Sequence, residues 1–325
     1  MSFIHLHVHS NYSLLQGAFS VEELVREAAR RGERFVALTD TNGLYGAVEF
    51  YEAARERGVT PIIGSELVYR GEQCVCLAAN REGYSNLCRL VTERQLAGTA
   101  HAARYGERRG VEENYDLAES ILSHSSGLFL LTGTASLLSE LAPRVDSGRL
   151  FAEWRADESR SFEVDSPEIA SSASEMETRG GKSSSRRDTM SGESICLVAN
   201  RLDVPRVATV NVNFLTSDTR ATHGVLSAIR ENIDFHGIMD DECLLAGRKS
   251  YFMDEREILS RLGGDAEAER AMENSVRIAE ACDLDLGLGE AHFPRYDAVP
   301  AGETPASYLR SVAERGACER YEDAR

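Results

Sequence analysis

Residues 3–10 read Phe-Ile-His-Leu-His-Val-His-Ser, and this stretch decides the fold. Apolar residues alternate in it with three histidines, His5, His7 and His9. Because side chains alternate faces along a β-strand, the spacing predicts a strand whose three imidazoles share one face. Imidazoles gathered at the end of a buried strand are common metal ligands. The pattern also fits a strand with a polar, hydrogen-bonded face, so this stretch alone leaves both interpretations open.

Strand and helix patterns alternate after this stretch. A capping box at Ser20 and Glu23 begins a helix, and the apolar run 35–39 predicts a strand that ends at Asp40. A second helix leads to a further strand at 61–64, which Glu66 follows closely. Strands that alternate with helices are typical of a parallel sheet or barrel. Functional side chains are then expected at the carboxyl ends of the strands.

The rest of the chain continues this pattern less regularly. Strands are predicted at 74–78, 128–131 and 206–210, and later helices at 254–263, at 265–282 and from Pro305 onward. Residues 155–193 are rich in serine and mixed charge, which predicts a disordered insertion or loop. We therefore expect two domains, a barrel over 1–230 and a helical extension over 231–325.

Composition narrows the function classes. The 325 residues include 53 acidic and only 36 basic side chains, for a formal charge of −17. No basic stripe for phosphate contacts is visible, so any role on DNA is expected to be indirect. The seven cysteines form no C-x-x-C pair, which argues against a zinc ribbon. Without a leader or a long apolar run, we expect a cytoplasmic protein with no membrane contact.

Several of these motifs together resemble the PHP (polymerase and histidinol phosphatase) domain. The similar stretches are residues 3–10, 12–17, 37–40, 42–51 and 61–66, with weaker signposts later in the chain. More narrowly, the chain is similar to the N-terminal region of the bacterial DNA polymerase III alpha subunit or of its error-prone relative. The resemblance covers nearly the whole chain except about 142–193. It implies an α/β fold, a distorted seven-stranded β/α barrel of the PHP type with a C-terminal helical extension.

The resemblance also implies a set of metal ligands. Active members of the family hold up to three metal ions, which promote phosphoester hydrolysis. His7, His9 and Glu66 match ligand positions, and His5 and Asp40 are weaker candidates. Neutral residues occupy the remaining ligand positions, namely Gln16, Thr41, Gln73 (or Cys74), Thr134, Asn211 and Asn213. Amides and hydroxyls are weak ligands for a dication, so a degraded site is expected. It would hold one Zn²⁺ or Mn²⁺ ion at most, and the favoured interpretation is none.

Two functions remain open at this point. The paired aspartates of a polymerase palm do not occur in these residues, so we expect a PHP domain present as a fragment, a split gene product or a decaying copy. Its role would be structural, in DNA replication or repair synthesis. The expected partners are a polymerase core or replisome proteins such as a proofreading exonuclease. The alternative is a free-standing metal-dependent phosphoesterase or 3′–5′ exonuclease that uses His7, His9 and Glu66. Whether the chain is an enzyme stays undecided.

Overall fold

The structure is a computed structural model, and it divides into two units. It describes residues 3–97, 115–157, 195–216, 219–232, 249–289, 296 and 298–321. The two compact units are Met1–Asp285 and Leu286–Arg325. The predicted division into a barrel over 1–230 and a helical extension over 231–325 stays a prediction.

Six strands form one sheet in the first unit, in the spatial order in which they follow along the chain. They are β1 (Phe35–Leu38), β2 (Thr60–Tyr69), β3 (Glu72–Ala78), β4 (Leu128–Thr132), β5 (Leu150–Arg155) and β6 (Arg206–Thr209). The β1–β2, β4–β5 and β5–β6 pairs are parallel, whereas β3 is antiparallel to both of its neighbours. The predicted α/β class is confirmed.

The predicted parallel pairing is found between β1 and β2, but β2 does not end near Gly64. It continues through Glu66 to Tyr69 and turns directly into β3. The two turn residues, Arg70 and Gly71, have φ values of 48° and 88°. Positive φ at both central residues suits a two-residue hairpin, which reverses the chain direction. Glu66 therefore lies inside a strand and not beyond its end.

Ten helices are described, nine of them in the first unit. They are α1 (Val21–Arg31), α2 (Ala47–Glu56), α3 (Arg81–Leu96), α4 (Leu117–Ser123), α5 (Ala135–Leu141), α6 (Ile195–Leu202), α7 (Arg220–Glu231), α8 (Glu255–Leu262), α9 (Ala266–Glu280) and α10 (Pro305–Arg320). The predicted capping box at Ser20 and Glu23 begins α1, which ends at Gly32 with φ 74°. No helix in the described ranges is both long enough and apolar enough to cross a membrane.

Residues 3–10 are extended, but they do not form the regular strand that was predicted. The amides of Phe3, Ile4 and Val8 bond to side chains (Glu255, Ser275 and Thr39) and not to a neighbouring strand. The Ala37 amide donates to the His5 carbonyl, and the Thr39 amide donates to the Val8 carbonyl. Three residues here oppose two on β1, which is the arrangement of a β-bulge.

The same segment also contacts the chain beyond β6. Val8 and Val212 form an isolated parallel bridge. The His9 amide donates to the Val212 carbonyl at 2.9 Å, and the Val212 amide donates to the His7 carbonyl at 3.0 Å. The segment is therefore hydrogen-bonded on one side to β1 and on the other to the continuation of β6.

A hydrophobic cluster fills the space beneath this segment. Ile4 and Leu6 belong to it, together with residues from all six strands and from α9, which include Ala37, Ile62, Leu77, Leu131, Phe151, Val207 and Ile278. Burial of these side chains supplies the main driving force for folding. The cluster forms a close-packed hydrophobic floor below the polar side chains at the ends of the strands.

The segment predicted to be disordered overlaps the described chain at its first residues. Arg155 is the last residue of β5, and the Asp157 side chain is buried. The sequence analysis assigned no strand at β5, although Leu150 and Phe151 begin it with an apolar run. Residues 158–193 lie outside the described residues.

Candidate metal centre

Three buried side chains converge above the hydrophobic floor. The Nε2 atoms of His7 and His9 lie 3.0 Å apart. Glu66 places Oε1 3.5 Å from His7 Nε2 and Oε2 3.6 Å from His9 Nε2. One ligand atom from each residue lies within 4.8 Å of the others. Two imidazoles and a carboxylate that face a common point form a donor set suited to one divalent ion.

The hydrogen-bond network assigns the tautomer of His9. The Ser13 hydroxyl donates to Asp40 Oδ1 at 2.6 Å, so its oxygen acts as an acceptor towards His9 Nδ1, 3.0 Å away. His9 Nδ1 therefore carries the proton, and the lone pair of Nε2 faces His7 and Glu66. Burial lowers the pKa of His9 to about 3, and the positive charge of His7 acts in the same direction. His9 is a neutral imidazole whose Nε2 is ready to ligate.

The Glu153 carboxylate influences the protonation of the second imidazole, that of His7. Its Oε1 lies 2.7 Å from His7 Nδ1 and also accepts a hydrogen bond from the Thr209 hydroxyl at 2.8 Å. Burial alone would lower the pKa of His7, but the carboxylates of Glu153 and Glu66 raise it to about 10. His7 is therefore an imidazolium at neutral pH. It donates from Nδ1 to Glu153 and from Nε2 towards His9.

Glu66 remains charged despite its burial. Burial raises the pKa of a carboxyl group, but the hydrogen bond and the charge of His7 outweigh this effect and lower the pKa of Glu66 to about 2. A carboxylate opposite a buried imidazolium is satisfied without any metal. The donor set thus fits a single ion, and it is also stable as a protonated ion-pair network.

His5 lies apart from the other two histidines, and the prediction that all three share one face is wrong. Its Nε2 lies 3.1 Å from the Met253 carbonyl oxygen, and its ring stacks on Phe252 with centroids 3.9 Å apart. The bulge between His5 and Val8 explains the difference, because one extra residue reverses the facing of the side chains. His5 is thereby removed from the candidate ligands.

Asp40, the second weaker candidate, is occupied by hydrogen-bond donors. Its carboxylate accepts from the Ser10 amide at 2.7 Å, the Ser10 hydroxyl at 2.8 Å and the Ser13 hydroxyl at 2.6 Å. Burial raises the pKa of Asp40 above its ordinary value, although these donors oppose the shift. Its contacts make it a support for Ser13, and through Ser13 for His9.

Gln16 and Thr41 stand beside the converging donors. The Thr41 hydroxyl lies 2.6 Å from Gln16 Oε1 and 3.1 Å from Glu66 Oε2. It also lies 3.3 Å from His9 Nδ1. The structure therefore brings both positions to the centre, where each contributes a neutral oxygen and no charge.

Gln73 and Thr134 lie together on the neighbouring part of the sheet. The backbone amide of Gln73 donates to the Thr134 hydroxyl at 3.2 Å. A β-carbon on Gly133 would stand 3.8 Å from both Gln73 Nε2 and Glu153 Oε2, so these residues border Glu153. Cys74, the alternative at this position, is buried with its Sγ 3.9 Å from that of Cys76. The hydrogen bond with the Cys76 thiol and, after it, burial raise the pKa of Cys74, which keeps its sulfur protonated.

Asn211 and Asn213 flank the Val212 bridge, next to His7 and His9. Asn213 Nδ2 donates to Asn211 Oδ1 at 3.0 Å and to the Asn211 carbonyl at 3.1 Å. The backbone amide of Asn211 donates to Asp157 Oδ1 at 3.1 Å. These two positions therefore satisfy each other and provide no anionic ligand.

The sequence analysis missed Ser13, Glu153, Arg155 and Asp157. Glu153 and Arg155 follow Phe151 at every second position of β5, and a charged residue inside an apolar strand was the available signal. Asp157 accepts from Arg155 Nη2 at 2.7 Å, and its pKa is lowered because the charge of Arg155 outweighs its burial. These residues surround the centre without joining its three converging donors.

Comparison with known proteins shows which family this region of the chain matches. Residues 5–157 match the family model of the PHP domain. This region is a PHP domain. It is homologous to the N-terminal region of DNA polymerase III alpha subunits and error-prone DNA polymerases.

Individual proteins that are similar to this chain align with nearly its whole length. An error-prone DNA polymerase from Symbiobacterium thermophilum is 32% identical over 328 residues, which are 99% of this chain and 29% of that protein. The DNA polymerase III subunit alpha of Bacillus subtilis is 29% identical over 99% of this chain and 26% of its own length. An error-prone DNA polymerase from Pseudomonas aeruginosa is 31% identical, with 98% and 27% covered. The chain spans less than a third of the length of these relatives.

Proposed function

We propose that this PHP domain is a structural and interaction module of a bacterial DNA polymerase and not an active polynuclear phosphoesterase. The observation that carries the proposal is the neutral character of the side chains around the three converging donors. Thr41, Gln16 and Asn211 surround His7, His9 and Glu66 with neutral groups. A polynuclear cluster needs several bridging carboxylates, and among the converging donors of the described residues only Glu66 provides one.

The buried network supports this role, because its charged side chains are paired with one another. The His7 imidazolium lies between the carboxylates of Glu153 and Glu66, and both groups are buried with it. A satisfied ion-pair network fixes the relative positions of distant chain segments. We infer that the network holds residues 3–10 between β1 and the continuation of β6, as the seventh member of a distorted barrel.

The partners of such a module follow from its relatives. Each of the three relatives is named as a polymerase or as a polymerase subunit. We therefore propose that the chain contacts a polymerase core, or a replisome protein such as a proofreading exonuclease. The formal charge of −17 supports contacts to protein over direct contacts to DNA phosphates.

A second candidate function is a mononuclear phosphoesterase, and one observation favours it. His9 already presents an unprotonated Nε2 towards Glu66, while Ser13 and Glu153 orient the two rings from behind. Such outer partners are typical of histidine metal ligands. His7, His9 and Glu66 would hold the ion, and Zn²⁺ or Mn²⁺ would supply Lewis acidity when bound. Glu153 would have to accept a neutral His7 in that state.

One experiment separates the two functions. The purified, tag-free protein is loaded with Zn²⁺ or Mn²⁺ and desalted, its metal content is measured by elemental mass spectrometry, and hydrolysis of a chromogenic phosphodiester and of single-stranded DNA is assayed. The structural role predicts at most one ion per chain and no hydrolysis above the rate of a His9→Ala variant. Hydrolysis that chelator and His9→Ala both abolish would establish the phosphoesterase. Two or more retained ions would show that further residues act as ligands.

A further inference from the structure

Two tyrosines and two arginines gather at the tip of the β2–β3 hairpin, next to the last turn of α3. The Tyr69 and Tyr115 rings lie 4.9 Å apart in an edge-to-face arrangement with an interplanar angle of 85°. The guanidinium carbons of Arg70 and Arg94 each lie 5.1 Å from the centre of the Tyr69 ring. We call these four residues the hairpin patch. It combines an aromatic pair with two positive charges.

Hydrogen bonds to β2 hold Arg94 in position. Its Nε donates to the Val68 carbonyl at 2.6 Å, and this is the only hydrogen bond of its guanidinium group within the described residues. Asn42 Nδ2 donates to the same carbonyl at 3.3 Å, and Asn42 Oδ1 accepts from the Val68 amide at 2.9 Å. A guanidinium that is stacked on a ring and bonded through Nε keeps its two Nη groups for an external acceptor. Because Arg94 is already ordered, little conformational entropy is lost when that acceptor binds.

The two arginines of the hairpin patch have no carboxylate partner within the part of the chain that the structure describes. Carboxylates on the same elements contact other groups. Glu72, opposite Tyr69 in the hairpin, accepts from the Ser136 hydroxyl at 3.1 Å. Glu93, next to Arg94 in α3, accepts from the Ser120 hydroxyl at 2.6 Å. Since acidic side chains outnumber basic ones by 53 to 36, two adjacent arginines without such a partner indicate an anionic group from another molecule.

Protein carboxylates suit the hairpin patch better than nucleic-acid phosphates. Proteins bind single strands by stacking bases on open aromatic faces, whereas the Tyr69 ring is already in contact with three side chains. The formal charge of −17 also repels a long polyanion more strongly than a short acidic peptide segment. Tyrosine and arginine are, in addition, the residues most often found at the energetic centre of protein–protein interfaces.

We propose that the hairpin patch is a docking site for an acidic segment of a partner protein. Arg94 binds one carboxylate of that segment through its Nη groups, and Arg70, on the exposed turn, binds a second. Tyr69 and Tyr115 supply the apolar contact area between the two charges. The inference deepens the proposed function, on which it rests, because it names the surface that contacts a partner and the chemistry of that partner.

The test measures binding of labelled probes to the full chain by fluorescence anisotropy at low ionic strength, where salt screens ion pairs least. The probes are a short peptide of alternating glutamate and serine, the same peptide with glutamine in place of glutamate, and an oligo-dT strand of similar length. Arg94→Gln and Arg70→Gln each remove one charge from the hairpin patch. Arg26→Gln is the matched control, since Arg26 lies on α1, is 62% exposed and pairs with Glu22.

We expect the glutamate peptide to bind the unmodified chain and the glutamine peptide to bind it at least about tenfold more weakly. Arg94→Gln and Arg70→Gln should each weaken binding of the glutamate peptide by about tenfold or more. Arg26→Gln should stay within about threefold of the unmodified chain, because an exposed ion pair contributes little.

The outcomes are distinguishable. Undetectable binding of the glutamate peptide overturns the inference, as does binding that the two patch variants retain or that all three variants weaken equally. An oligo-dT strand that binds more tightly than the peptide, and through the same arginines, also overturns it, because the partner would then be a nucleic acid. If Arg94→Gln fails to give a cooperative thermal transition, Arg70→Gln decides, since Arg70 is exposed. Retention of two metal ions or metal-dependent hydrolysis would instead refute the proposed function, whatever the peptide binds.

Discussion

His7 Nδ1 lies 2.7 Å from the Glu153 carboxylate, although the two residues are 146 positions apart in the chain. Both side chains are buried, and the Thr209 hydroxyl donates to the same carboxylate oxygen. The relationship ties the first segment of the chain to β5 and β6. It also sets the protonation of the imidazole on which metal binding would depend.

Removing the charge of Glu153 should destabilise the protein. Glu153→Gln leaves the His7 imidazolium with Glu66 as its one remaining carboxylate contact in the described network, so the pKa of His7 should fall from about 10. Breaking a buried charge pair costs about 3 kcal/mol of unfolding free energy. Urea denaturation at pH 7 measures this loss. Glu267→Gln, which breaks a pair with a half-exposed carboxylate, should cost less than about 1 kcal/mol. A loss below about 1 kcal/mol for Glu153→Gln would contradict the proposed network.

Zinc binding should release a proton from His7. In the metal-free protein the imidazole holds both protons up to a pKa of about 10, whereas a ligand nitrogen must be unprotonated. At neutral pH one proton must therefore leave for each ion bound, and the apparent affinity should rise about tenfold per pH unit from pH 7 to 9. Titration calorimetry in buffers of different ionisation enthalpy counts the protons. An affinity that does not change with pH would refute the assigned protonation.

The protonation of His7 should also influence stability. The folded-state pKa of about 10 lies above the ordinary histidine value of 6.5, so folding binds a proton between these values. The resulting stabilisation is complete below pH 6.5 and is lost as the pH rises through 10. The unfolding free energy of the metal-free chain, relative to His7→Gln, should therefore fall by about 1.4 kcal/mol per pH unit in this window. A difference that stays constant from pH 7 to 9 would argue for a neutral His7.

Two histidines of the run, His5 and His7, should respond differently to the same substitution. His7→Gln should reduce Zn²⁺ retention by at least about tenfold, because a strong ligand becomes a weak one. His5→Gln should leave retention unchanged, since His5 bonds to Met253 and stacks on Phe252. Elemental analysis after loading and desalting measures both. Equal losses in the two variants would return His5 to the ligand set.

A glycine beside the centre should not tolerate a side chain. A β-carbon on Gly17 would stand 2.0 Å from the Ser10 carbonyl oxygen and 2.5 Å from that of His9, so Gly17→Ala must displace the backbone. We expect a loss of about 3 kcal/mol or more in unfolding free energy. Gly133→Ala is the control, because its nearest contacts would be 3.8 Å away and it should change stability by less than about 1 kcal/mol. Similar losses in both variants would indicate that the loop adapts.

Local patterns predicted much of the fold. The capping box of α1 and the apolar run of β1 depend on neighbouring residues, and they form where the sequence places them. His7, His9 and Glu66 were assigned from motifs that resemble those of a known family, and their side chains converge in the structure. A strand was predicted at 74–78, where β3 lies, but the hairpin that makes it antiparallel to β2 was missed, since a two-residue turn at Arg70 and Gly71 carries little signal in a stretch that otherwise alternates.

The remaining features that the sequence analysis missed depend on contacts with other segments of the chain. No spacing rule relates Glu153 to His7, because their contact requires the sheet to bring β5 beside residues 3–10. The opposite facing of His5 depends on a single extra residue opposite β1, and periodicity alone cannot reveal a bulge. The paired Arg155 and Asp157 were hidden because the predicted disordered segment began at residue 155, which is the last residue of β5.

The contacts of residues 3–10 have a consequence for synthesis on the ribosome. This segment is synthesised before its partners, since its hydrogen bonds go to Val212, Glu255 and Ser275 as well as to β1. At bacterial elongation rates of about 5–20 residues per second, the last of these partners follows by roughly 10 to 50 seconds. Throughout that interval the nascent histidines lack the surroundings that bury them. A chaperone or a stray metal ion therefore has its best access to this centre before the polypeptide is complete.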